Sequence, residues 1–180
     1  MNSLFFFNII LCDLSTFKKH TMNELYELNG LICKVENSIS LLKFTIKQSY
    51  GEINKYVVLS NNENFLTAIN MFYESLCQFD NKTSPRKEIN DFDKAKISKR
   101  SINIMIRTID KFEGKIFAIK SSLKYFLIEI MNLYKENRMK HCDECLNFIK
   151  EINKSLMNDI ENTMKLTRKI STNLRIDLKN

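Results

Sequence analysis

The stretch "SINIMIRTIDKFEGKIFAIKSSLKYFLIEIMNLYK", residues 101–135, decides the fold class. Its apolar residues fall at Ile102, Met105, Ile109, Phe112, Ile116, Ile119, Leu123, Phe126, Ile130 and Leu133. Steps of three and four stack them on one face of an α-helix, because residues at those spacings lie over one another on successive turns. A second series, Cys142, Cys145, Ile149, Ile152, Leu156, Ile160 and Met164, repeats the pattern, with a break expected around "KENRMK", residues 135–140. Further back, Leu25, Leu28, Ile32, Ile39, Leu42 and Ile46 form a third stripe. "NNENFLTAINMFYESLCQF", residues 61–79, opens with capping asparagines ahead of another helix. "NKYVVLS", residues 54–60, is rich in β-branched residues, but a strand without a partner strand is not stable, so a short helix is expected there.

Composition agrees with an all-α protein. Three glycines (Gly30, Gly51, Gly114) and one proline (Pro85) are too few to punctuate an all-β chain of 180 residues. With 44% hydrophobic and 27% charged residues, the chain has enough apolar surface for a core and is not of the disordered class. Five scattered cysteines (Cys12, Cys33, Cys77, Cys142, Cys145) make an odd number without a framework spacing, which favours reduced thiols and a cytoplasmic protein. Residues 1–21 open with a short apolar run, Leu4 to Leu11, that lacks a basic start and a cleavage site and is too short to span a bilayer. That segment reads as an apolar N-terminal extension, with Met22 an alternative start. No later segment reads as transmembrane, since Glu129 interrupts the best candidate, "YFLIEIM".

The single proline lies in "QFDNKTSPRKE", residues 78–88, which marks the sharpest boundary, with Ser84 expected to cap a helix whose first position is Pro85. Charge divides at the same place. Residues 1–81 hold six Lys and Arg against eight Asp and Glu, and residues 82–180 hold twenty-two against thirteen. The cations of the second part are interleaved with carboxylates and its aromatics fall in or near apolar stripes, which favours a solvated helix surface over a nucleic-acid face. A groove between helices, rimmed by lysines and receiving an acidic amphipathic helix, is a further possibility.

Catalytic signatures are absent: there is no glycine-rich phosphate loop, no G-x-S-x-G and no H-E-x-x-H. "RMKHCDEC", residues 138–145, gathers His141, Cys142 and Cys145, which share helical faces in pairs. A structural zinc site takes four ligands, usually from loops or separate elements. Cys142 and Cys145 instead continue an apolar series, so the stretch reads as the entry to a packing helix, with no metal and no cofactor expected.

Several short stretches occur in a telling order: "NELYELN" (23–29), "ENFLTAI" (63–69), "EINDFDKAK" (88–96), "FAIKSSL" (117–123), "YKENR" (134–138) and "NFIKEINKS" (147–155). This series resembles the programmed cell death ten family, also called the cerebral cavernous malformation three proteins. The resemblance implies a non-enzymatic helical adaptor. Its N-terminal dimerisation domain would span residues 22–82, its linker helix 83–110, and its elongated antiparallel bundle, resembling a focal adhesion targeting homology domain, 111–180. The resemblance also implies homo- or heterodimerisation through Leu25, Leu28, Ile32, Ile39 and Leu42, with the C-terminal tail of a Ste20-like, germinal-centre kinase as partner. Leucine-aspartate motifs or a striatin-type scaffold would dock on the bundle, where Lys120 and Lys154 match two groove lysines and Lys150 lies nearby. Glu113 and Glu161 stand where two further lysines would be. A coiled-coil subunit of a trafficking or kinetochore assembly, or a basic helical nucleic-acid-binding protein, are the alternatives.

Overall fold

Five helices and no strand make up the described chain: α1 (Ser3–Ser60), α2 (Glu63–Gln78), α3 (Arg86–Lys94), α4 (Lys99–Lys135) and α5 (Asp143–Lys179). The computed structural model describes residues 3–60, 63–79, 84–94, 98–135 and 143–179; of these, the side chains of 3–18, 50, 52–60, 134–135, 143–146, 148 and 179 are not described. The helix expected over residues 54–60 is the last part of α1, a continuous helix of 58 residues. All three glycines lie inside helices with open space where a Cβ would be, so none of them makes a turn.

Helix ends are set by specific donors and acceptors. At the start of α4 the Ser98 N–H donates to Ser101 Oγ (2.8 Å), and the Ser101 N–H donates back to Ser98 Oγ (3.1 Å). This is a reciprocal cap of the capping-box kind, with serine in place of glutamate. At α3 the Ile89 N–H donates to the Pro85 carbonyl (2.9 Å), so Pro85 itself holds the cap position. Ser84, expected to cap, has its Oγ buried and unpaired among the described residues. α2 carries no basic residue in its last turn. Two lysines from neighbouring helices serve it instead: Lys43 Nζ donates to the Phe79 carbonyl (3.0 Å) and Lys115 Nζ to the Gln78 carbonyl (3.5 Å). Cations placed there satisfy orphan carbonyls and oppose the negative end of the helix dipole.

α1 and α4 are the two spines, each packed against α2, α3 and α5. α4 runs antiparallel to α5, as the successive pairs Asp110–Arg175, Glu113–Arg168 and Lys120–Glu161 require. α3 runs antiparallel to α1, with Arg86 against Glu36 (3.2 Å) and the Tyr26 hydroxyl donating to Asp93 (2.8 Å). The apolar series of α4 from Ile102 to Leu133 is buried along its whole length. Phe126 stacks with both Phe65 and Phe72 of α2, with centroids 5.7 and 5.2 Å apart, and Phe79 meets Phe112 at 5.9 Å. One hydrophobic cluster takes in residues of all five helices, from Met22 to Leu174.

That shared core bears on the expected division of the chain. Residues 21 and 22 fall within α1 and residues 110 and 111 within α4, so neither boundary coincides with a helix end. The boundary at 82/83 falls between α2 and α3, outside the described residues. The stripes ahead of it and behind it share one hydrophobic cluster.

α5 turns several polar groups inward. The Thr163 hydroxyl donates to the Asp159 carbonyl (2.6 Å) and the Thr167 hydroxyl to the Met164 carbonyl (2.9 Å), which satisfies them within the helix. Asn153 is fully buried, and neither atom of its amide has a partner among the described residues. An unpaired buried amide costs free energy that an apolar side chain of similar size does not. Asn153→Leu is expected to stabilise the protein by about 1–2 kcal/mol in urea denaturation; a fall in the midpoint would contradict this account of the site. Phe126→Ala removes the ring between two aromatic neighbours and is expected to cost about 3–5 kcal/mol by the same measurement.

Candidate functional site

The outer seam of α4 and α5 brings basic residues together beside apolar surface. Because α4 and α5 are antiparallel with aligned heptads, residues one step past each buried position flank the seam: Phe117 and Lys124 on α4, Met157 on α5. Two adjoining depressions result. One, of about 600 Å³, is lined by Phe117, Lys120, Lys124, Met164, Lys165 and Arg168. The other, of about 630 Å³, has a floor of Leu127, Ile130, Met131 and Met157 with Lys150 and Lys154 along its α5 edge. Glu161 borders both.

Ion pairs brace the seam at the first depression. Arg168 Nε contacts Glu113 Oε1 at 2.6 Å, and Lys120 Nζ contacts Glu161 Oε1 at 2.9 Å. The hydrogen bond from Lys120, its charge and the charge of Lys124 hold the Glu161 carboxyl below its ordinary range. Further along, Arg175 pairs with Asp110, which also accepts from the Ser171 hydroxyl at 2.9 Å. Met131, in the second depression, is more than half exposed, and so is the neighbouring Ile128.

Lys120, Lys150 and Lys154, the three lysines singled out from sequence, therefore come together on one seam. Lys120 is engaged by Glu161, and Lys150 and Lys154 edge the apolar depression. Lys115 is directed to the end of α2 instead. Leu25, Leu28, Ile32, Ile39 and Leu42 are all buried within the chain, none more than 2% exposed. His141 and Cys142 lie outside the described residues, and Cys145 stands in the first turn of α5. Among the described residues no group of His, Cys, Asp or Glu is arranged to hold a metal ion, and no helix is long and apolar enough to cross a membrane.

At the far side of α5, Glu24 of α1 is nearly buried and is held by Lys169 Nζ (2.8 Å), Asn173 Nδ2 (3.2 Å) and His20 Nε2 (3.4 Å). The Glu24 carboxylate raises the pKa of Lys169. This cluster ties α1 to α5 and leaves the α4–α5 seam clear. Comparison with known protein families, with curated proteins and with solved structures finds no match for this chain.

The Lys120–Glu161 pair makes a checkable statement about acid. A carboxyl held below its ordinary value contributes stability at pH above that value, and the contribution is lost as the pH falls through the lower folded value. In a side-chain NMR titration Glu161 is expected to titrate below an unperturbed glutamate, and Lys120→Ala to move it up toward the ordinary range. An unchanged midpoint in the variant would dissolve the pairing.

Proposed function

We propose that this protein is a non-enzymatic helical adaptor that docks acidic, amphipathic partner helices along the α4–α5 seam. The observation that carries the reading is the juxtaposition of an apolar floor, half-buried Leu127 and Met157 with exposed Met131, and an α5 edge of Lys150, Glu151 and Lys154. A partner helix gains by burying its apolar stripe on that floor. Lysines at the rim select carboxylates on the partner and speed the encounter. Methionines suit such a surface because an unbranched thioether adapts to different partner shapes.

The resemblance to the programmed cell death ten family supports the same reading and adds partners to it: a leucine-aspartate-type or striatin-type helix for the groove, and the tail of a Ste20-like kinase for the N-terminal stripe. The two are not equal in physical demand. Pairing through Leu25, Leu28, Ile32, Ile39 and Leu42 requires α1 to give up contacts inside the bundle, since those side chains are buried there. Groove docking requires no rearrangement, so it is the part of the adaptor reading with the better physical support. Glu161 tempers it, because the carboxylate neutralises Lys120 and repels an acidic ligand.

The test is direct binding of a labelled acidic amphipathic helix peptide to the full chain by fluorescence anisotropy. Lys150→Glu with Lys154→Glu is expected to weaken binding about tenfold or more. Met131→Asp is expected to abolish it, and Glu161→Gln to strengthen it about two- to fivefold by freeing Lys120. Absence of binding to the unaltered chain would refute the groove. Affinity purification that recovers a Ste20-like kinase or a striatin-type scaffold would identify the partner class.

A further inference from the structure

The first three turns of α4 carry a cationic stripe that the groove does not use. Arg100, Asn103, Ile104, Arg107 and Lys111 are all exposed, and they share the helix face opposite the buried Ile102, Met105, Ile109 and Phe112. Lys99 adjoins them across a shallow depression lined by Lys99, Arg100, Asn103, Ile104 and Arg107. From Lys94 through Ile109 the sequence contains no Asp or Glu. Asp110, the next carboxylate, is taken by Arg175 and Ser171. Among the described residues, none of Lys99, Arg100, Arg107 and Lys111 has an ion-pair partner. Neighbouring cations held on a folded helix without counter-charges repel one another and favour an anionic partner.

Ile104 distinguishes between kinds of anion. It is half exposed at the centre of the stripe, with Arg100 one turn before it and Arg107 one turn after. Nucleic acid would satisfy the cations but offers a groove-edge isoleucine little, and the stripe has no aromatic on which a base could stack. A bilayer surface offers anionic headgroups beside an apolar boundary at the depth an isoleucine reaches.

A second feature converges on the same end of the molecule. α1 and α4 flank α5 at residues 169–175, through Glu24 on one side and Asp110 on the other. α2 is antiparallel both to α1, where Lys43 reaches the Phe79 carbonyl and Lys47 lies by Asn70 and Glu74, and to α4, so α1 and α4 run in the same direction. The turns of α1 ahead of Glu24 therefore lead toward the end that carries the stripe. In sequence those turns include the uncharged run Leu4–Leu11, followed by Asp13 and then Lys18 and Lys19.

We infer that this end of the bundle binds the surface of anionic phospholipid bilayers peripherally, through Arg100, Arg107 and Lys111 with Ile104 entering the headgroup boundary. The attraction is a surface one and falls with ionic strength, because exposed cations are screened within about 8 Å at physiological salt. It is independent of the groove, which lies further along α4.

The experiment is co-sedimentation of the full chain with vesicles of phosphatidylcholine alone and of phosphatidylcholine with 30% phosphatidylserine, a composition of about the charge for which such attraction is appreciable. Binding is expected only with phosphatidylserine and should weaken as salt rises. Each of Arg100→Gln, Arg107→Gln and Lys111→Gln is expected to lower the partition about fivefold. Ile104→Ser, which keeps every charge, is expected to lower it several-fold, whereas Lys150→Glu with Lys154→Glu should leave it unchanged. Circular dichroism and the urea midpoint confirm that these outward-facing variants fold. The inference is overturned by failure to bind the phosphatidylserine vesicles, by equal binding to both compositions, or by a triple charge variant that still binds. It is equally overturned if mixed-sequence RNA is bound through the stripe while vesicles are not.

Discussion

The buried face of α4 is the constraint on which the rest of the structure depends. From Ile102 to Leu133 it repeats every seven residues, and it meets α2 along one flank and α5 along the other. A stripe of that length cannot be covered by one short helix: α2 has 16 residues and α4 has 37. α3 and α5 complete the cover, and α1 closes the bundle behind them. The aromatic contacts of Phe126 and Phe112 hold α2 in register, and the heptad alignment of α5 then brings the charged flanks of the two long helices opposite one another.

Electrostatics on the surface follow from this register. Glu113 and Glu161 stand opposite Arg168 and Lys120 because antiparallel pairing sums their positions to nearly the same value, and each pair then neutralises itself across the seam. Surface pairs of this sort contribute little to stability. Their larger consequence is to brace the seam beside the first depression. Further cations lie in two places, at the α5 edge of the second depression and on the first turns of α4. A basic chain thus presents two patches with different company: methionine and leucine in one, a lone isoleucine in the other.

Several local features have an evident cause and lay beyond sequence reasoning. Lys43 and Lys115 terminate a helix to which neither belongs, so no inspection of residues 63–78 could have found them. The Ser98–Ser101 cap fits a known pattern, but serine at its fourth position is a weaker signal than glutamate. Pro85 takes the cap position rather than the first helical position of α3, a difference within the ordinary slack of helix ends. Phe117, Met131 and Met157 could have been picked out as groove residues, because each sits one step after a residue of a buried series.

What the sequence by itself determined is the helical class, the inward stripes of α1, α4 and α5, and the separation of a near-neutral part from a basic one. These follow from local periodicity and composition, which need no knowledge of neighbours. Only the tertiary structure decided which stripes meet. Leu25, Leu28, Ile32, Ile39 and Leu42 bury inside the chain, Lys120 is engaged by Glu161, and Lys150 and Lys154 flank one open depression. Periodicity tells a side chain to leave water and does not say against what. That choice depends on register between helices many residues apart, and it is set by the fit of the whole core rather than by any one segment.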